Sequence, residues 1–243
     1  MSHRAKLDRA RQHFEAAEFT YAEFAKTEPY RIVTERDKKP GRYVLRAFID
    51  HPIPEQMVLE IGDSVHNMRS ALDHLVFAIA GFPADDRNIQ FPIFDKKTTY
   101  DNCRWKLQNV PPAALAVIEE LQPYQRGESA NSQLLAILAT LDNIDKHRRP
   151  ILSGSVVSLK EVWGSGQATS IRITGRNGGA FKNGAVISTW EVSGREMDVN
   201  FTVAFRVALA EPAPLDGRDI GKLLEEIHRY IGDEVFPRFD SFL

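Results

Sequence analysis

Residues 62–80 read GDSVHNMRSALDHLVFAIA, and this stretch decides the fold of the chain. Its apolar residues recur every three or four positions, a spacing that predicts an amphipathic helix with one face in a core. A solvated helix face in this chain usually carries Lys and Glu, and this stretch has neither. Its polar groups share one flank of the helix instead: His66, Arg69 and Asp73, with Ser70, Asp63 and His74 beside them.

A second helix is predicted from about Asn131 to Arg149, and residues 134–150 read LLAILATLDNIDKHRRP. Asp145 and Arg148 fall on the same face as its apolar residues, so this helix also directs charges toward a packing surface. An unpaired charge in a low-dielectric interior is very costly. We therefore predict that the two motif helices pack together and share one interior cluster: His66, Arg69, Asp73, His74, Asp145 and Arg148.

Before the first motif helix, the sequence predicts another amphipathic helix that ends near Pro29, and then a β-hairpin at about residues 31–50. The hairpin turn is expected at residues 39–41, Lys-Pro-Gly. Residues 83–102 show no helical or strand periodicity and are predicted to form a loop. Two helices are expected after this loop, one on each side of Gly127.

After Pro150 the periodicity changes from helical to alternating, with glycine-containing turns between the alternating segments. We predict four strands between about Val156 and Leu209, arranged as an antiparallel meander, and then a closing amphipathic helix. The expected class is α+β, with a helical portion and hairpin insertion in residues 1–153. Residues 154–243 should form the antiparallel sheet and the C-terminal helix, packed with the helical portion as one unit.

Composition narrows the functional classes. The chain has 243 residues, a formal charge of −2 and a pI near 6.4, so it lacks the basic field needed for broad binding to nucleic-acid backbones. Cys103 is the only cysteine, which excludes an intrachain disulfide and favours a reducing cytoplasm. The sequence shows no apolar run of membrane-spanning length and no nucleotide-binding glycine motif, so we expect no membrane partner and no cofactor.

Trp105, Trp163 and Trp190 are predicted to be core anchors rather than stacking platforms for bases.

The motifs HNMRSALDHL and LDNIDKHR resemble those of a group of bacterial proteins with no assigned activity, which share an H-N-x-R-S-A-L-D-H-L helix and a D-N-x-D-K-H-R helix end. A second similarity is to HEPN-type ribonucleases, whose signature is an Arg followed on a helix after four to six residues by a His. Arg69 and His74 fit that signature. The resemblance implies metal-independent cleavage of RNA at a homodimer interface, with Arg69 holding a phosphate and His74 transferring protons.

Two alternatives stay open from the residues alone. In the first, the cluster is a buried ionic network of a non-enzymatic structural or interaction protein, in which Arg69 and Asp73 form an i,i+4 pair braced by Asp145 and Arg148. In the second, histidines from three helices bind a metal ion, an arrangement that would resemble DinB-like helical bundles. The candidate ligands are His66, His74, His13 and His147.

Overall fold

The computed structural model of this chain describes residues 2–39, 41–82, 88–147, 152–165, 168–175, 182–194, 198–210, 215 and 217–243. Helices and strands both contribute substantially, which confirms the predicted α+β class. The helices and strands are α1 (His3–Lys26), β1 (Tyr30–Arg36), β2 (Arg42–Ile49), α2 (Glu55–Ile79), α3 (Lys97–Cys103), α4 (Pro112–Glu120), α5 (Leu134–His147), β3 (Leu152–Ser165), β4 (Ala168–Gly175), β5 (Ala185–Gly194), β6 (Asp198–Leu209) and α6 (Ile220–Arg229). Short 3₁₀ segments cover Arg104–Leu107, Pro123–Ser132 and Phe236–Phe242, and a π-helical turn covers Tyr230–Val235.

The chain divides into two compact units, and each unit draws on separate parts of the sequence. The helical unit consists of Met1–Phe19, Gln56–Pro150 and Gly221–Leu243. The sheet unit consists of Thr20–Glu55 and Ile151–Ile220. The β1–β2 hairpin therefore belongs with the strands of the second half of the chain, although the sequence suggested that it was an insertion among the helices.

In the sheet unit, the hairpin is part of a four-stranded antiparallel sheet with the strand order β1-β2-β5-β4. Strands β3 and β6 pair only with each other among the described residues, in a separate two-stranded sheet. The predicted meander is thus wrong for β3, since its partner is β6 rather than β4. An isolated hairpin is marginally stable in water, and pairing of β2 with β5 supplies the further strands that the hairpin needs.

The core of the sheet unit centres on Trp190 of β5. This indole is 1% exposed and stacks on the Tyr43 ring with 4.2 Å between the ring centroids. The other buried members of the cluster are Phe24, Tyr30, Leu45, Ala47 and Ile187. The prediction of a core anchor is confirmed for Trp190 and wrong for Trp105, which is half exposed. The side chain of Trp163 lies outside the described residues.

In the helical unit, α2 buries the face that its apolar spacing predicts. The buried residues of this face are Ile61, Val65, Met68, Leu72, Leu75 and Ile79. The helix stops before Gly81, whose φ of +80° is the left-handed conformation that commonly terminates a helix. None of the described helices combines the length and the apolar character that a membrane span requires.

Helix α3 corrects the prediction of a loop over residues 83–102. Its seven residues, KTTYDNC, contain one buried side chain, that of Tyr100. With one anchor, the segment has no repeating apolar face, and so periodicity could not reveal the helix. The later helices were predicted correctly in kind, although α5 begins at Leu134 rather than Asn131, and the predicted end at Arg149 lies outside the described residues.

Replacing Trp190 with Ala should lower the unfolding free energy of the protein by about 3–5 kcal/mol, because the change leaves a large cavity in the core of the sheet unit. Val186→Ala on the same strand is the control, since that side chain is 46% exposed and its truncation should cost less than about 1 kcal/mol. Urea unfolding followed by circular dichroism measures both. Equal midpoints for the two variants would contradict the core position of Trp190.

Candidate functional site

The two motif helices, α2 and α5, are in close contact at Gly62. A Cβ atom built on Gly62 would lie 2.9 Å from the carboxyl carbon of Asp145 and still closer to one of its oxygens. Non-bonded carbon atoms do not approach within 3.0 Å of each other. The absence of a side chain at Gly62 therefore makes room for the Asp145 carboxylate of α5 beside α2. This confirms the prediction that the motif helices pack together.

One helical turn further along, α2 and α5 meet again at His66 and Asp142. The Asp142 carboxylate is 4% exposed, and its Oδ1 lies 3.5 Å from Nδ1 of His66. Its Oδ2 accepts a hydrogen bond of 2.6 Å from Nζ of Lys146. Among the described residues, Oδ1 has no hydrogen-bond partner. The His66 side chain is 56% exposed, so a buried carboxylate faces an imidazole that solvent and solutes can reach.

The sequence predicted that Asp145 would contact the polar flank of α2, and in the structure it is Asp142 that faces His66. In the described part of the chain, Asp145 makes no ion pair with His66, Arg69 or Asp73. Burial raises the pKa of Asp145, and the negative charges of Asp142 and Asp63 raise it further. Arg148, the other predicted partner, lies outside the described residues.

Arg69 and Asp73 form the predicted i,i+4 pair, and a backbone segment completes it. Nη1 of Arg69 donates to Oδ1 of Asp73 at 2.8 Å, and Nη2 donates to the carbonyl of Phe91 at 2.7 Å. The N–H of Phe91 donates to the same Oδ1 at 2.9 Å. Burial raises the pKa of Asp73 although the Arg69 charge opposes this change. We call this three-residue arrangement the Arg69 clamp, and it fixes the start of the extended segment at residues 91–94.

The remaining predicted site histidines lie apart from the clamp. Burial, and then the charge of Arg4, lower the pKa of His3 in α1, and His74 lies near enough to His3 to contribute. Nδ1 of His13 lies 3.7 Å from Asp63, and His147 is exposed at the end of α5. Within the described ranges, no three His, Cys, Asp or Glu side chains converge so that they could hold a metal ion. The predicted set His13, His66, His74 and His147 is therefore not brought together.

A solvent-open cleft of about 220 Å³ lies beside the contact between α2 and α5. Segment 91–94 lines it together with polar side chains from both motif helices and from the connecting segments. The polar residues that line the cleft are Arg69, Gln90, Lys106, Asp142, Asn143 and Lys146. Nζ of Lys106 donates to Gln90 at 2.9 Å. Three cationic side chains and one buried carboxylate therefore line the same cleft: Arg69, Lys106, Lys146 and Asp142.

The register between the helices explains why the cleft opens at this position. Gly62 faces Asp145 and His66 faces Asp142, so the two helices run antiparallel here. Continuing that register by one turn brings Arg69 level with Ala139, and both line the cleft. A methyl side chain fills little of the space between the helices, and the cleft occupies what remains.

Sequence reasoning missed five of the six polar residues that line the cleft. Asp142, Asn143 and Lys146 belong to the motif LDNIDKHR, so the motif as a whole signalled them even though the helical wheel favoured Asp145 and Arg148. Gln90 and Lys106 lie outside both motifs, and no periodic or compositional signal indicated them. Only Arg69 was predicted.

No protein-family model matches this chain, and no curated protein or solved structure matches it either. The likeness to the bacterial motif group and the likeness to HEPN-type ribonucleases both stay predictions.

Asp73→Ala should lower the unfolding free energy by about 2–3 kcal/mol, because the change leaves the 14% exposed guanidinium of Arg69 and the N–H of Phe91 without their shared acceptor. The control is Asp101→Ala, which removes an exposed i,i+4 pair with Lys97 of the same 2.8 Å length. That change should leave the stability nearly unchanged. Chemical denaturation measures both, and a similar small effect for the two variants would show that the Arg69 clamp does not stabilise the helical unit.

Gly62→Ala should destabilise the protein by about 1–3 kcal/mol, because the new methyl group meets the carboxylate of Asp145, which must move to make room. In an Asp145→Ala background the same change should cost much less or stabilise, since Ala favours a helix over Gly by about 1 kcal/mol. A double-mutant cycle measured by denaturation gives the coupling between the two positions. Additive effects would contradict the close approach.

Proposed function

We propose that this protein cleaves single-stranded RNA without a metal ion and that the cleft beside α2 and α5 is its active site. His66 is assigned as the proton-transfer residue, and Asp142 as the carboxylate that orients it. One observation carries the proposal. An exposed imidazole faces a buried carboxylate next to a cleft that contains three cationic side chains.

The His66–Asp142 pair has the components of an acid–base catalyst. Imidazole changes protonation near neutral pH, which makes histidine the side chain most often used for proton transfer. Nδ1 of His66 faces Oδ1 of Asp142 at 3.5 Å, which is longer than a hydrogen bond. In the proposed active form this gap closes, Nδ1 carries the proton, and the lone pair on Nε2 is available. A buried carboxylate that holds one tautomer of an accessible imidazole plays the same part in catalytic triads. Asp142 lines the cleft and His66 lies against Asp142 outside that lining. We therefore assign His66 to the edge of the cleft, where its Nε2 would accept a proton from a substrate hydroxyl.

The chemistry follows from these groups. Nε2 of His66 accepts the proton of a ribose 2′-hydroxyl, and the 2′-oxygen attacks the adjacent phosphorus. The bond to the 5′-oxygen then breaks, and solvent in the open cleft protonates the departing oxygen. The products are a 2′,3′-cyclic phosphate end and a 5′-hydroxyl end. The reaction needs no oxidant or reductant, because no atom changes its oxidation state. It needs no metal ion to supply the nucleophile, because the nucleophile is the 2′-oxygen of the substrate.

The ammonium groups of Lys106 and Lys146 are assigned to the phosphate. Positive charges near the phosphoryl oxygens stabilise the charge that develops in the transition state. Arg69 is less suited to this role, since both of its terminal nitrogens already donate hydrogen bonds to Asp73 and Phe91. Our assignment therefore differs from the one that the HEPN resemblance implies, in which Arg69 and His74 act together.

The proposed site is complete within one chain, so cleavage should not need the homodimer that the HEPN resemblance implies. We also propose that the protein acts in the cytoplasm, where its single cysteine, the free thiol of Cys103, would stay reduced. The non-enzymatic alternative has one observation in its favour. The Arg69 clamp satisfies its own charges and fixes a backbone segment, as a purely structural network would.

Purified protein should cleave single-stranded RNA in the presence of EDTA and leave 2′,3′-cyclic phosphate ends. His66→Ala should reduce the rate at least about 100-fold by removing the proton-transfer group. Asp142→Asn should reduce it strongly too, because the amide can hold the wrong tautomer of His66. Gel analysis of a labelled RNA panel, with folding of each variant confirmed by circular dichroism, measures these effects. The control is His51→Ala, which alters an exposed histidine of the sheet unit.

Two further variants separate the competing assignments. His74→Ala should keep the wild-type rate under our assignment and lose it under the HEPN one. The rate per protein molecule should also be independent of protein concentration, because one chain forms the site. RNA that stays intact across a varied panel with folded wild-type protein would reject the proposal and favour the structural alternative.

A further inference from the structure

Trp105 is an exposed aromatic side chain next to a cation of the cleft. It lies in the 3₁₀ segment Arg104–Leu107, and half of its surface is exposed. The ammonium of Lys106 lies over the indole, 5.7 Å from the ring centroid. The same ammonium donates to Gln90, and both Lys106 and Gln90 line the cleft. The indole of Trp105 therefore contacts a side chain, that of Lys106, which lines the cleft.

The segment that carries Trp105 is anchored on both sides. Leu107, two residues later, is 4% exposed, and Tyr100 in the preceding helix α3 is 1% exposed. These two anchors fix the backbone between them, so the exposed indole does not result from a loosely held loop. Arg104 is also exposed, and the sequence Arg-Trp-Lys thus places an aromatic ring between two cations.

We propose that Trp105 is a base-stacking subsite for single-stranded RNA, in which one base lies on the indole while Lys106 holds the phosphate of that nucleotide. This inference rests on the proposed function and adds a substrate contact to it. Single-stranded nucleic acids bind where aromatic rings alternate with cationic groups, since every base has a π-face and every nucleotide carries a phosphate. Stacking of this kind tolerates any base, so the subsite would take a nucleotide of any sequence.

Binding can be measured separately from cleavage with a 2′-O-methyl RNA oligonucleotide, which lacks the attacking hydroxyl. Trp105→Ala should weaken its binding about tenfold in a fluorescence-anisotropy titration, the typical loss when one stacked base is released. Trp105→Tyr should retain most of the affinity because an aromatic ring remains. The matched control is Phe19→Ala, since Phe19 is a 68% exposed aromatic residue of the same unit and lies on α1.

Two additional readouts test stacking itself. An oligomer of the same length with abasic sugars should bind wild type and Trp105→Ala equally, because it offers no base to stack. The oligonucleotide should also quench tryptophan fluorescence, and most of that quenching should disappear in Trp105→Tyr. Lys106→Ala should reduce the slope of log Kd against log salt concentration by about 0.7, the value for one phosphate contact on a single strand.

The outcomes separate this inference from the proposed function. Base-dependent binding that requires Trp105, without any cleavage of RNA, would support the subsite and reject the ribonuclease. Cleavage by wild type with an unchanged KM and unchanged oligonucleotide affinity in Trp105→Ala would reject the subsite alone. No binding and no cleavage by folded wild type would overturn both.

Discussion

The close approach of α2 and α5 at Gly62 is the constraint on which the candidate site depends. Because Gly62 has no side chain, α5 can bring the Asp145 carboxylate against the backbone of α2. The same two helices meet at His66 and Asp142 one turn further along, in antiparallel register. A Cβ atom at position 62 would require the Asp145 carboxylate to move, and so would disturb the packing beside the His66–Asp142 contact. A single glycine thus links the packing of the helical unit to the chemistry proposed for it.

The charged side chains at the contact between α2 and α5 differ in how completely they are hydrogen-bonded. The Arg69 clamp satisfies its charges with short hydrogen bonds to a fixed backbone segment, so it has little capacity left for a ligand. Asp142 is different, since its buried Oδ1 has no hydrogen-bond partner among the described residues and lies 3.5 Å from Nδ1 of His66. Its two cationic or ionisable neighbours, His66 and Lys146, are each about half exposed. Exposed partners stabilise a fold little, and such an arrangement is more useful to a ligand than to the fold.

The sequence predicted the parts of the structure that depend on local periodicity. The buried face of α2 and its packing against α5 followed from apolar spacing and from the cost of unpaired charges. The sequence could not separate Asp142 from Asp145, because these residues lie only about 60° apart around a helix axis. Which of them meets His66 depends on the register between the helices, and that register is a tertiary feature that helical periodicity does not encode. The pairing of β3 with β6 was missed for a similar reason, since alternation marks a strand but does not name its partner.

The HEPN resemblance and our proposal differ in the cation that would hold the phosphate. The first selects Arg69, and the second selects Lys106 and Lys146. The HEPN resemblance selects Arg69 because of its spacing from His74, and spacing along a helix does not report whether a side chain is already engaged. In the structure both terminal nitrogens of Arg69 are engaged. Releasing them would leave the 14% exposed Arg69 side chain and the carbonyl of Phe91 without these hydrogen bonds. Lys146 and Lys106 contribute positive charge at the same cleft without holding its backbone in place. The Arg69 clamp holds segment 91–94, whereas Lys106 and Lys146 donate to the side chains of Gln90 and Asp142. This difference is the reason why our proposal assigns the phosphate to the lysines rather than to Arg69.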